Sequence, residues 1–271
     1  MRKRLIAGTA AGFALALSGA VPAVADSHEA QLSVLHGVPG LTVDVYVNGD
    51  LTLDDFEPGD LAGPLALPAG TYTVAITAAD AADDSAPAIG PVDLPLEAGK
   101  NYTAVAHLDA EGNPTAALFT NDISNTAAGE GRLTVRHTAA APAVDILAGG
   151  APVLTDVVNG QEGVLNLPAG TVSAAVALAD TTEPAIGPAD VTVAEGVNTI
   201  VYAWGSAADG NLDLAIQTID GLHSAPAGVP SGELGLAAQQ SSTPWVVGAA
   251  LLAAAGVAFA VRRQTVSVKN D

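Results

Sequence analysis

The stretch Leu32-Ser33-Val34-Leu35-His36, followed six residues later by Val43-Asp44-Val45-Tyr46-Val47, decides the fold because the chain carries it twice. It returns as Leu133-Thr134-Val135-Arg136-His137 and Val144-Asp145-Ile146. Farther on, Leu67-Pro68-Ala69-Gly70-Thr71 reappears as Leu167-Pro168-Ala169-Gly170-Thr171, and Pro87-Ala88-Ile89-Gly90-Pro91 as Pro184-Ala185-Ile186-Gly187-Pro188. The offset drifts from 101 to 97 residues, as small loop deletions between two copies require. Two identical five-residue blocks in the same order make internal duplication the reading on which the rest is built.

Each copy reads as short strands. Val43, Val45 and Val47 alternate with Asp44, Tyr46 and Asn48, and Tyr72, Val74 and Ile76 alternate with Thr71, Thr73, Ala75 and Thr77. A period of two gives a strand one face for a core and one for water, the habit of antiparallel sheets. Turn signals such as Asn48-Gly49-Asp50, Glu111-Gly112-Asn113-Pro114 and Asp209-Gly210-Asn211 punctuate the runs. Seven or eight strands per copy at this spacing predict an all-β protein of two tandem antiparallel β-sandwiches, Ig-like or transthyretin-like. The first sandwich is expected over residues 26–121 and the second over 132–221, joined by a linker at 122–131.

The two ends read as membrane addresses. Arg2, Lys3 and Arg4 precede an apolar run from Leu5 to Ala20, and Ala23-Val24-Ala25 then supplies a small-x-small cleavage site. Residues 1–25 are therefore expected to be a signal peptide, cut between Ala25 and Asp26. At the other end Trp245 to Val261 is uncharged and is closed by Arg262 and Arg263. As a helix these residues would span roughly 25 Å, slightly short of the hydrocarbon core, with the arginines and Trp245 reaching the two interfaces. A single transmembrane helix at 245–261 is expected, with a cytoplasmic tail at 262–271 by the positive-inside rule. A flexible stalk is expected at 222–244, where Ser, Ala, Pro, Gly and Gln dominate. Localisation follows as a single-pass type I cell-membrane protein, with its body outside the cytoplasm.

Charge and cysteine content narrow the function classes. The 271-residue chain has 29 acidic and 9 basic side chains, a net charge of -20, and no cysteine. From Asp26 to Pro244 there are 28 acidic residues against three basic ones, Lys100, Arg132 and Arg136. Such a body is not expected to bind nucleic acid, which needs clustered cations. The absence of cysteine excludes disulfides, thiol catalysis and thiolate metal sites.

Val34-Leu35-His36-x-Val38-Pro39, Val43 to Val47, the Leu-Pro-Ala-Gly-Thr block and Gly99-Lys100-Asn101-Tyr102-Thr103-Ala104-Val105 together resemble a bacterial extracytoplasmic family, domain of unknown function 4397. The second copy resembles it through Arg136-His137, Ala141 to Ile146 and Leu167 to Thr171. The resemblance implies compact β-sandwiches in secreted or surface-anchored proteins, often in tandem, with no agreed activity and no catalytic residues to carry over.

His36 and His137 occupy equivalent places, on the face shared with Leu32 and Val34 or with Leu133 and Val135. They are expected to be buried and structural, each bonded to a loop. Asp44 and Asp145, which would complete a metal or acid/base pair with them, alternate with valines and are expected on the wetter face of their strand. Candidate Ca²⁺ ligands are Asp54, Asp55, Glu57 and Asp60, although they lack the spaced Asp-x-Asp-x-Asp-Gly loop. No Gly-x-Ser-x-Gly, His-Glu-x-x-His, phosphate loop or Ser-x-x-Lys occurs. The expectation is a protein that is not an enzyme and needs no cofactor, displayed at the surface in a binding, adhesion or envelope-structural role. Its partner would be an envelope or surface protein or a polysaccharide. The alternative is an extracytoplasmic sensor of Ca²⁺ or a glycan acting through a membrane partner.

Overall fold

The computed structural model describes residues 28–224; the signal-like start, the region after Ser224 with the 245–261 segment, and the 262–271 tail lie outside them. The first half forms eight strands: β1 (Glu29–His36), β2 (Val43–Val47), β3 (Asp50–Phe56), β4 (Leu61–Pro68), β5 (Gly70–Ala78), β6 (Ile89–Leu96), β7 (Asn101–Leu108) and β8 (Pro114–Asn121). The second half repeats the series as β9 (Glu130–Ala140), β10 (Val144–Ala148), β11 (Ala151–Val157), β12 (Glu162–Pro168), β13 (Gly170–Leu178), β14 (Pro184–Val193), β15 (Asn198–Ser206) and β16 (Asp213–Ile219). The sheets are ordered β4-β1-β7-β8 and β3-β2-β5-β6 in the first half. In the second they are β12-β9-β15-β16 and β11-β10-β13-β14, which is the same order shifted by eight strands. The fold is all-β and sandwich-like. Among the described residues no helix is long and apolar enough to cross a membrane.

Each sandwich closes over aliphatic side chains at alternate positions. In the first, Val43, Val45 and Ile76 from one sheet meet Ala106 and Leu108 from the other, with Phe56 and Ile89 at the margins. In the second, Val144, Ile146 and Val176 meet Leu133, Val135 and Val201. The repeated Ile-Gly-Pro motif serves the same place in both. Gly90 and Gly187 have φ of 94° and 89°, and a Cβ on Gly90 would sit 2.7 Å from the Val74 carbonyl oxygen. Only glycine meets both demands.

Three features differ from the sequence-based expectation. First, the sheets are mixed: β1 pairs parallel with β7, and β9 with β15. A parallel neighbour needs a long connection, and the five strands between β1 and β7 provide it. Second, the outer face of one sheet in each sandwich is not wet. Sheet β4-β1-β7-β8 packs against sheet β12-β9-β15-β16, so that Leu35, Val105 and Phe119 meet Ile200 and Tyr202. Strand β15 is consequently buried at all nine positions. Third, Leu222 and His223, expected to begin the stalk, are held to the body. The Leu222 carbonyl accepts the Thr126 N–H at 2.8 Å, His223 bridges to Thr126, and Leu222 is buried. The two sandwiches thus belong to one compact unit.

Strand direction gives this unit two unlike ends. Glu29 pairs with Pro68, and Gln31 lies beside Asn101, which lies opposite Asn121. Across the inter-sandwich contact the Asn198 amide donates to the Asp122 carbonyl, and Asn198 is the partner of Ile219. The chain's entry, its linker and its exit therefore share one end. The loops at residues 37–42, 57–60, 79–88 and 109–113 and their counterparts in the second half share the other.

Candidate functional site

The face joining the sandwiches concentrates the buried polar groups of the protein. Its centre is Arg136, 1% exposed, which projects from β9 toward the first sandwich. Its position corresponds to Leu35 in β1. The guanidinium donates from Nε to the Glu162 carboxylate, from Nη1 to the Tyr202 hydroxyl and from Nη2 to Asn121 Oδ1, all at 2.7 Å. The ring of Phe119 lies flat beneath it, 4.3 Å from the guanidinium carbon. A planar fork with several fixed donors suits this job; a lysine ammonium would not reach the same three acceptors.

From Arg136 the bonds run on across the contact. The Tyr202 hydroxyl donates to Gln217 Oε1 at 2.6 Å, and Thr103 Oγ1 donates to the same oxygen at 3.0 Å. The Gln217 amide donates to Ser33 Oγ at 3.1 Å, and the Asn121 amide to Thr103 Oγ1 at 3.0 Å. Burial pushes the Tyr202 phenol upward, and the Arg136 charge only partly opposes this. The phenol is therefore a neutral donor at neutral pH. At one margin Arg132 donates to the Asp122 and Ser124 carbonyls of the linker and pairs with the Asp122 carboxylate at 3.2 Å. At the other, the Asn159 amide binds the carbonyls of Leu108 and Ala139, one from each sandwich. Trp204 covers Gly37 and Gly59, where an added Cβ would come within 3.2 and 3.3 Å of the indole side chain.

Both arginines are thus spent internally, and Lys100 is the one exposed lysine or arginine among the described residues. The arrangement holds donors and acceptors in fixed pairs across the contact, which is the chemistry of a joint between the two sandwiches.

The sequence-selected histidines are buried on the inner faces of their strands. His36 Nε2–H donates to the Leu41 carbonyl at 2.6 Å, and His137 Nε2–H to the Pro142 carbonyl at 3.0 Å. His107, at the position of Trp204, donates from Nδ1 to the Leu108 carbonyl at 2.8 Å. Burial holds all three imidazoles below the ordinary histidine range, partly offset by their carbonyl acceptors.

Asp44 and Asp145 are not on a wet face. They are 4% and 7% exposed. A bulge in the β2–β3 ladder sets Asp54 and Asp55 opposite the single Asp44, and Asp44 Oδ1 accepts the Asp55 N–H at 2.9 Å. The same bulge sets Thr155 and Asp156 opposite Asp145, which accepts the Asp156 N–H at 3.0 Å. The extra residue lies on the neighbouring strand, so alternation in β2 and β10 holds and both aspartates sit on the face away from the core valines, but they are buried there rather than wet. The candidate Ca²⁺ set is also divided. Asp54 and Asp55 group with Asp44, their carboxylate oxygens within 4.8 Å of one another. Glu57 and Asp60 form a separate turn, with the Glu57 N–H on Asp60 Oδ2 at 3.1 Å.

Between the sheets of the first sandwich lies an apolar cavity of ≈ 40 Å³, walled by Val45, Ile76, Ile89 and Leu94 among others. Its walls are aliphatic, so it has nothing to orient a polar ligand or hold a water.

Residues 30–147 match the model of a family described as a domain of unknown function, DUF4397. The matched stretch takes in most of the first sandwich and the first two strands of the second. No curated protein matches the chain.

Two outcomes are expected from this geometry. Arg136→Ala strands the Asn121 and Tyr202 acceptors in the joint and should cost about 3–5 kcal/mol in chemical denaturation. Arg136→Lys should recover less than half of that. The neutral histidines give a pH dependence of definite sign. Their folded pKa values lie below the unfolded value of about 6.5, so the unfolded chain binds more protons and stability falls as pH drops below that value. Urea midpoints measured from about pH 7 to 5.5, above the carboxylate range, should decline; a flat profile would contradict the buried neutral imidazoles.

Proposed function

We propose that this chain is a membrane-anchored surface protein, displaying its paired sandwiches outside the cell in a non-catalytic binding, adhesion or envelope-structural role. The observation that supports this most is the shared end for chain entry, linker and exit. With both chain ends leaving from one end of the body, the loops of the opposite end stay uncovered by entry, linker or exit and are free to meet a partner. The acidic surface, with Lys100 as its exposed cation among the described residues, favours a soluble exterior and discourages adhesion to anionic lipid. The internal joint lets both modules present as one rigid head.

We further take the fold as transthyretin-like rather than Ig-like. In Ig sandwiches the first two strands belong to one sheet. Here β1 and β2 lie in different sheets in the first half, as do β9 and β10 in the second. The partner is taken to be an envelope protein or a polysaccharide met by the distal loops.

Protease added to intact cells should remove the body from full-length protein, leaving a membrane fragment that contains Arg262 onward. Protection in whole cells combined with cleavage after lysis would defeat the surface assignment.

A further inference from the structure

We propose that the first sandwich binds a divalent cation, Ca²⁺, between the carboxylates of Asp44, Asp54 and Asp55, with the Thr77 hydroxyl as a further oxygen donor. This goes beyond surface display and does not depend on how the chain is anchored. The three carboxylates are brought together by the β2–β3 bulge, with oxygens mutually within 4.8 Å. Asp44 is buried, while Asp54 and Asp55 are exposed and leave the ion an approach from solvent.

Thr77 is the independent observation. It is the cross-strand partner of Asp44, so the two side chains stand side by side on one face of the sheet. Its Oγ1 is fully buried and has no hydrogen-bond partner. A buried hydroxyl without a partner is costly, and a hard cation beside it supplies the missing interaction. Carboxylate and hydroxyl oxygens are hard donors that suit Ca²⁺.

The second sandwich acts as an internal comparison. Its bulge and its Asp156-to-Asp145 hydrogen bond are the same, but Thr155 replaces Asp54 and Ala177 replaces Thr77. Third carboxylate and orphan hydroxyl are lost together. Leu147 stands where the first sandwich has Tyr46, and it forms a buried apolar cluster with Ala175 and Ala177. One scaffold thus carries oxygen donors in one copy and hydrocarbon in the other.

The test is calorimetric titration of the purified full chain with CaCl₂, paired with Tb³⁺ emission excited through tyrosine. One saturable site per chain is expected, in the range of about 10⁻⁴ to 10⁻³ M typical of extracellular modules. Asp54→Thr installs the residue found at the matched place in the second sandwich, and its fold is checked by circular dichroism. It should weaken binding at least about tenfold, and Thr77→Ala should weaken it measurably. Asp156→Ala should leave binding unchanged. Absence of saturable binding in the wild type, equal binding by Asp54→Thr, or equal loss in Asp156→Ala would each overturn the proposal.

Discussion

The three-way grip of Arg136 on Glu162, Tyr202 and Asn121 is the constraint that the rest of the architecture serves. A guanidinium 1% exposed is tolerable only if its donors are met and a counter-charge is near. Glu162, whose side chain is 32% exposed, supplies that charge from the rim, while Tyr202 and Asn121 supply neutral acceptors from within. Asn121 is the last residue of β8, so the first sandwich must be docked before the arginine is satisfied. The aliphatic part of the joint gives affinity without direction. Directed bonds from Arg136, Gln217 and Asn159 fix the angle at which the sheets meet.

Duplication explains how such a joint arises. Two copies of one strand order present corresponding faces to each other, and the copies have diverged where those faces meet. Leu35 and Val105 in the first correspond to Arg136 and Tyr202 in the second, so a hydrocarbon pair faces a hydrogen-bonded pair. The same divergence separates Thr77 from Ala177 and Asp54 from Thr155 in the two sheets that lie away from the joint. In both places the backbone is kept and the side-chain chemistry is redistributed between the copies.

The strands and the repeat were legible because they rest on local periodicity and on matching blocks. Burial of the histidines was read from parity with Leu32 and Val34. Burial of Asp44 was not: parity places it correctly on the face away from Val43 and Val45, but alternation does not report that the bulged Asp54-Asp55 stretch of β3, with Asp55 at a φ of 50°, engages it there. The contact between sandwiches was also missed. Alternation reports that a strand has two kinds of face, but Ser33, Thr103 and Gln217 look the same whether water or another sheet satisfies them. One signal was available: in a body with three basic residues, two sit four apart in the strand that became the joint. Scarce arginines in an acidic chain point to places where a positive charge is needed inside.

The claim that the two sandwiches are fused into one head by this joint is tested most directly by differential scanning calorimetry of the full chain. Multi-domain proteins with independent domains melt in separate steps. The account predicts one transition for the β-body, with calorimetric and van't Hoff enthalpies that agree. Two resolved transitions, each carrying the enthalpy of a single sandwich, would contradict it.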